Sequence, residues 1–262
     1  MSANAYSAGG PLGLETGSFR LAEVLATDPQ TVPEFGAQLA EVDQHLDEAG
    51  LPQVKPFTEV YLTMTNSVGG SLDQFEDPQR LATLTCNFGR WFFDALRSHL
   101  KLIETPVPPA WEHLFGLTGQ RLGPELAVHG VIAHIANDLP QAVRDAGMTE
   151  ESRGDYFRVD QNIGFAARHL TQQHLPGPGV LKSGAARVSN RWATGLRVGA
   201  WENFQRLQNA AESEDPGALD EVVATIEQDA LLASLSVARV GTIAVRSAAL
   251  LRSVQPQQLI GR

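Results

Sequence analysis

One helical turn separates His134 from Asp138, and both lie inside an apolar stretch, Leu126 to Pro140, that reads LAVHGVIAHIANDLP. An imidazole and a carboxylate in such surroundings form a general acid–base pair. Burial raises a carboxyl pKa, a charged neighbour lowers it, and proton-transfer sites exploit either shift. At about 100° of rotation per residue, Gly130, His134, Asn137 and Asp138 fall within roughly one quadrant of a helix. The i,i+4 spacing lets His134 and Asp138 meet. His129 precedes His134 by five residues, about 140° away around the axis on the same arithmetic, and faces other neighbours. A helix that presents two histidines to one metal ion spaces them i,i+4, so this spacing argues against such a site. Pro140 lacks an N–H and leaves the carbonyl of Ala136 without its helical partner, which enlarges the polar patch.

The same residues also fit a satisfied polar pair whose only role is to fix helix register. Three functional readings follow. The leading one is an enzyme with no organic cofactor that binds a small, partly aromatic molecule between helices. In it His134, Asp138 and Asp160 transfer protons, and Arg90 and Asn137 orient polar groups. Trp91, Trp111, Trp201 and Tyr61 supply the walls. Cyclisation, lyase or condensation chemistry in specialised metabolism suits this equipment. It requires the carboxylate and imidazole to share a hollow that a ligand can reach. The first rival adds a divalent metal held by His134, Asp138 and a third ligand, His129 or Asp160. The second is a non-catalytic helical binding or scaffold protein.

The elements that must position these groups read as helices. Pro33 to Ala49 carries Phe35, Leu39, Val42 and Leu46 at helical spacing and stops at Gly50-Leu51-Pro52. Phe57 to Leu72 is ambiguous by propensity, and its period favours a helix. Pro78 to Ile103 has a wide apolar stripe through Leu81, Leu84, Phe88, Phe92 and Leu96, in which Arg90 needs a carboxylate partner if it is buried. Ala110 to Phe115 is a short turn clamped by Trp111 and Phe115. Asp155 to His174 reads as one helix with Asp160 beside its apolar face. Pro176-Gly-Pro-Gly179 is the strongest breaker in the chain, and 176–184 reads as a loop that covers the body as a lid. Val188 to Ala211 and Leu219 to Leu251 complete an all-α bundle of about eight helices around the central 126–140 helix. Residues 1–30 read as a flexible leader without the features of a secretory signal, 31–254 as one helical domain, and 255–262 as a loose tail.

Composition bounds the partners. With 262 residues and 43% apolar content the chain can bury a large core, and 30 acidic against 20 basic residues make a polyanion such as nucleic acid an unsuitable partner. No apolar run is long enough to span a bilayer. Cys86 is the single cysteine, which rules out an intramolecular disulfide and suits a cytoplasmic location. Self-association is compatible with everything in the sequence. Arginine outnumbers lysine 17 to 3, a bias typical of a GC-rich bacterial genome. No Gly-x-Gly-x-x-Gly follows a strand, and no Gly-Lys-Ser, Gly-Lys-Thr or Gly-x-Ser-x-Gly occurs, so nucleotide cofactors and serine-hydrolase chemistry are disfavoured. Paired Glu-x-x-His sites of a di-iron bundle are also absent.

Several stretches together resemble a helical bacterial family known only as a numbered domain of unknown function. They are Phe57 to Thr65, Phe75 to Pro78, Leu84 to Leu96, Trp111 to Phe115, Ala133 to Pro140, Asp155 to Asp160, and Ala200-Trp201. The resemblance spans roughly residues 35 to 250. It implies an all-helical fold and weight on the His134/Asp138 region, and it implies no reaction. The family's pattern places Asn directly after His-Ile, where this chain has Ala136, with Asn137 one step later.

Overall fold

Capping chemistry sets where the helices start. The Thr31 hydroxyl accepts from the Glu34 N–H while the Glu34 carboxylate accepts from the Thr31 N–H, a reciprocal capping box ahead of a proline in the first turn. Asp77 accepts from the Arg80 N–H and starts the longest helix of the N-terminal half, again with proline next.

The computed structural model describes residues 16–118, 123–164 and 179–253, and every regular element among them is helical. In order these are α1 (Thr16–Val24), α2 (Val32–His45), α3 (Lys55–Gly69), α4 (Pro78–His99), α5 (Pro109–Phe115), α6 (Gly123–Ile132), α7 (Leu139–Asp145), α8 (Arg153–Arg158), α9 (Gly179–Ala211) and α10 (Ala218–Ser253). A π-helical segment, Ala133–Asp138, joins α6 to α7 without a break. The expected all-α bundle is therefore present, and the central element is longer than the 126–140 read from its apolar run.

The central element packs on α4, α5, α9 and α10 and lies between two apolar cores. Ala133 belongs to the core built on Phe35, Phe57, Phe92, Phe93 and Trp111. Ile135, Leu139, Ala142 and Val143 belong to the one built on Tyr156, Trp201 and Phe204. Gly130 makes the first contact possible, because a Cβ there would overlap Phe57 of α3. The absence of a side chain lets α6 approach α3 closely, and His134 follows one turn later.

Three boundaries differ from those read in sequence. Residues 1–30 are not all leader: α1 covers Thr16–Val24 and buries Leu21 and Leu25. The helix expected over 155–174 is interrupted at Val159 and resumes at 160, and its remainder beyond 164 lies outside the described residues. The lid expected over 176–184 is corrected in part, since α9 already begins at Gly179. Residues 176–178 and the 255–262 tail lie outside the described residues. No described helix is long and apolar enough to cross a membrane.

Candidate functional site

The π segment delivers the central polar groups. The Leu139 N–H bonds the carbonyl of His134, five residues back, so the backbone widens immediately before Pro140, which has no N–H to offer. His134 and Asp138 still meet across that wider turn. Nδ1 of His134 lies 2.8 Å from Oδ2 of Asp138, and both side chains are buried. The same oxygen accepts from Trp111 Nε1 at 2.9 Å, and Oδ1 accepts from the Asn137 amide at 2.8 Å. Three donors thus hold the two oxygens of one buried carboxylate.

Asp138 fixes the tautomer of its neighbour. A carboxylate can only accept, so the His134 proton sits on Nδ1 and Nε2 carries a lone pair. Burial lowers the His134 pKa below its ordinary 6.5, outweighing the opposing pull of Asp138, so the ring is neutral near pH 7. Nε2 is buried and has no hydrogen-bond partner among the described residues. Aromatic rings enclose it. Phe88 stacks on the imidazole at 3.5 Å with an interplanar angle of 6°, Tyr61 meets it edge-on at 4.4 Å, and Phe57 lies at 5.4 Å.

A cavity of about 50 Å³ lies beyond those rings, lined by Tyr61, Thr65, Leu84, Phe88, Leu139 and Arg197 among others. Neither His134 nor Asp138 is on its surface, which corrects the expectation that the pair itself faces a hollow. Tyr61 and Phe88 do both, touching His134 on one side and the cavity on the other. The hydroxyls of Tyr61 and Thr65 are buried without partners. Burial, and secondarily the charge of Asp138, raises the Tyr61 pKa well above its usual value, so the phenol keeps its proton.

The other residues singled out in sequence divide into separate groups. Trp111 and Asn137 join the cluster, as donors to Asp138 and not as walls or orienting groups for a ligand. Asp160 is 2.9 Å from Arg197 Nε and is not a partner of His134. Arg90 and Trp91 converge on Asp145, at 3.2 and 3.0 Å, on the far end of α7. The carboxylate that Arg90 needed is supplied there, at the surface and away from the dyad. Trp201 is buried in the second core against Tyr156 and Phe204. His129 points elsewhere, as its angular offset predicts, with Nδ1 2.7 Å from Ser234 Oγ. The set His134, Asp138, His129 is therefore not assembled, and no three His, Cys, Asp or Glu side chains gather as metal ligands among the described residues.

Sequence reasoning missed Phe88, Thr65, Arg197 and Ser234 as neighbours of these groups. Thr65 had a signal, because it follows Tyr61 by one turn on α3. Arg197 had none: its partners Asp160 and the Tyr156 carbonyl lie 37 and 41 positions away.

The fold and site define an all-helical protein with an enclosed His–Asp pair at a π-helical turn. The profile described as "Family of unknown function (DUF5995)" matches residues 32–239, and the chain belongs to that family. No curated protein and no solved structure matches it.

Proposed function

We propose that the protein is a cofactor-independent acid–base enzyme acting on a small organic molecule, with the His134–Asp138 pair as its proton-handling dyad. The observation that carries this reading is the neutral imidazole whose Nδ1–H is fixed on Asp138 and whose Nε2 is unpartnered and one ring away from a cavity. Such an imidazole is a general base, and after taking a proton it is a general acid stabilised by the carboxylate. Asp138 orients His134 and does not contact the substrate. Tyr61 and Phe88 lie between dyad and cavity, so on this reading they move aside for a substrate to reach Nε2. Cyclisation, elimination and condensation all turn on a proton transfer of this kind.

Size constrains the substrate. The cavity has about a third of the roughly 150 Å³ that admits benzene to an engineered apolar cavity. A partly aromatic substrate requires Phe88 or Met64 to swing away, whereas a short chain needs less. The test is a substrate-depletion screen of purified protein by mass spectrometry, repeated with His134→Gln and Asp138→Asn proteins that circular dichroism finds folded. Turnover is expected in the parent alone, and undiminished turnover in both folded variants overturns the assignment.

One observation favours a second reading. Asp138 is fully buried with both oxygens held by three donors, as in a polar pair that locks helix register. On that reading the protein is a helical binding or scaffold protein, and the two substitutions change stability with no effect on any ligand. Metal dependence has less support, since Asp160 and His129 are each engaged away from the dyad.

A further inference from the structure

Oδ2 of Asp138 serves two donors, His134 Nδ1 at 2.8 Å and Trp111 Nε1 at 2.9 Å, while Oδ1 takes the Asn137 amide alone. Trp111, His134 and Asp138 are each at most 2% exposed, so bulk water reaches none of them. The indole is held from behind. Phe57, Phe92 and Phe115 pack on its rings at 5.3, 5.0 and 5.7 Å, and α5 buries Ala110, Leu114 and Phe115 around it. A buried indole N–H needs an acceptor, and that need is met by any free lone pair. Oδ1, with one donor, has a lone pair left. The indole nevertheless goes to the oxygen that His134 uses.

Sharing that oxygen has an electrostatic consequence. The proton affinity of an imidazole rises with the negative charge that faces its N–H. At His134 the carboxylate pulls upward and burial pulls more strongly downward. A second N–H dipole aimed at Oδ2 offsets part of the charge that His134 meets, and in a dry interior it does so with little screening. Asp138 is the charged group acting on the ring. Tyr61 of α3 is the other ionisable group against it, and burial keeps that phenol protonated. Phe57 of α3 and Phe88 and Phe92 of α4 face the ring from the other sides. Among the described residues, Trp111 is the donor to Asp138 that comes from outside the π segment.

We infer that Trp111 is a positioning residue of the dyad, whose Nε1–H shares Oδ2 and thereby keeps His134 neutral and able to accept a proton at pH values where the pair alone would be protonated. The inference deepens the proposed function and rests on it only for the consequence in turnover. A general base works only while it is unprotonated, so the indole extends the working range of the dyad towards acid.

The test follows the ring nitrogens of His134 by NMR in the full chain labelled with nitrogen-15 histidine, as pH is lowered, with His134→Gln to assign the signals. In Trp111→Phe the His134 midpoint is expected about one unit above that of the parent, a tenfold rise in proton affinity. Phe92→Leu disturbs the packing against both rings and leaves the carboxylate its donors, and it is expected to move the midpoint by less than half as much. Benzothienylalanine placed at position 111 keeps the bicyclic ring and exchanges the N–H for sulfur. It is expected to reproduce the rise, so the result does not depend on whether Trp111→Phe folds. A midpoint no higher than in the parent when the N–H is removed, an equal rise in Phe92→Leu, or a ring that stays neutral in every protein down to acid unfolding overturns the inference. With a substrate from the depletion screen, the acid limb of the rate profile is expected to move up with the midpoint. The two proposals fail separately. A raised midpoint in a protein that turns over nothing removes the catalytic role of the dyad and leaves the tuning. Turnover that needs His134, with an unmoved midpoint, removes the tuning alone.

Discussion

Trp111 Nε1 and His134 Nδ1 converge on a single oxygen of Asp138, at 2.9 and 2.8 Å, although the indole comes from α5 and the imidazole from the π segment. The oxygen ties a seven-residue helix to the centre of the bundle. The same contact decides the tautomer of His134, because both groups must donate.

Trp111→Phe retains most of the apolar volume and deletes one donor to a fully buried carboxylate. A loss of about 1–3 kcal/mol is expected, since hydrogen bonds to charged groups lie at the upper end of the usual range. Urea denaturation measures it. A loss below about 0.5 kcal/mol would mean that Asp138 finds a replacement donor.

Tyr61→Phe removes a buried hydroxyl with no partner, so unfolding free energy is expected to stay within about 0.5 kcal/mol of the parent or to rise. The phenol ring contacts to Phe35, Phe57 and His134 survive the change. A drop of more than 1 kcal/mol would show that the hydroxyl has a structural role (about the value of a net hydrogen bond).

Stability is expected to fall as pH drops below about 6.5. In the unfolded chain His134 takes up a proton near its ordinary value, whereas burial lowers its pKa in the folded protein. Between those two values the unfolded state binds more protons, so stability rises with pH across that window and is lost as pH falls through it. His99, also lowered by burial, adds in the same direction. Denaturation midpoints at a series of pH values follow the effect, and His134→Gln is expected to show a shallower slope. An unchanged slope would assign the acid sensitivity to other groups.

Gly130→Ala places a Cβ into Phe57, whose ring also meets Trp111, Phe92 and His134. Overpacking of this kind costs about 1–3 kcal/mol. A thermal-melt series with Gly154→Ala as the control, where nothing lies within 4 Å, is expected to show the loss at Gly130 only.

Asp155 accepts from the Glu76 and Asp77 N–H groups at 3.0 and 2.8 Å while it is itself buried, which links α8 to the start of α4. Asp155→Ala strands two backbone donors and is expected to cost about 2 kcal/mol or more. A smaller loss in chemical denaturation would indicate that water reaches those amides.

Much of the architecture was legible in the chain. Apolar residues at helical spacing marked α2, α4 and the central element, and proline with a capping residue marked their starts, because both signals are local. The His134–Asp138 contact was legible for the same reason: one turn of helix brings the two side chains together whatever surrounds them. The offset of His129 followed from the same geometry. Local pattern failed where a distant partner decides the outcome. Asp160 and Arg90 looked available to the dyad, yet Arg197 and Asp145 claim them from 37 and 55 positions away. Trp111 and Trp201 looked alike as apolar walls, and packing gave one to Asp138 and the other to a separate core.

The sequence by itself thus determined the helices and the one polar pair whose members are neighbours along the backbone. Only the tertiary structure decided that Tyr61 and Phe88 stand between that pair and the cavity, and that two hydroxyls on α3 are left without partners. The physical reason is reach. Periodicity fixes which residues share a face, whereas burial, enclosure and unsatisfied hydrogen bonds depend on what other helices bring to that face.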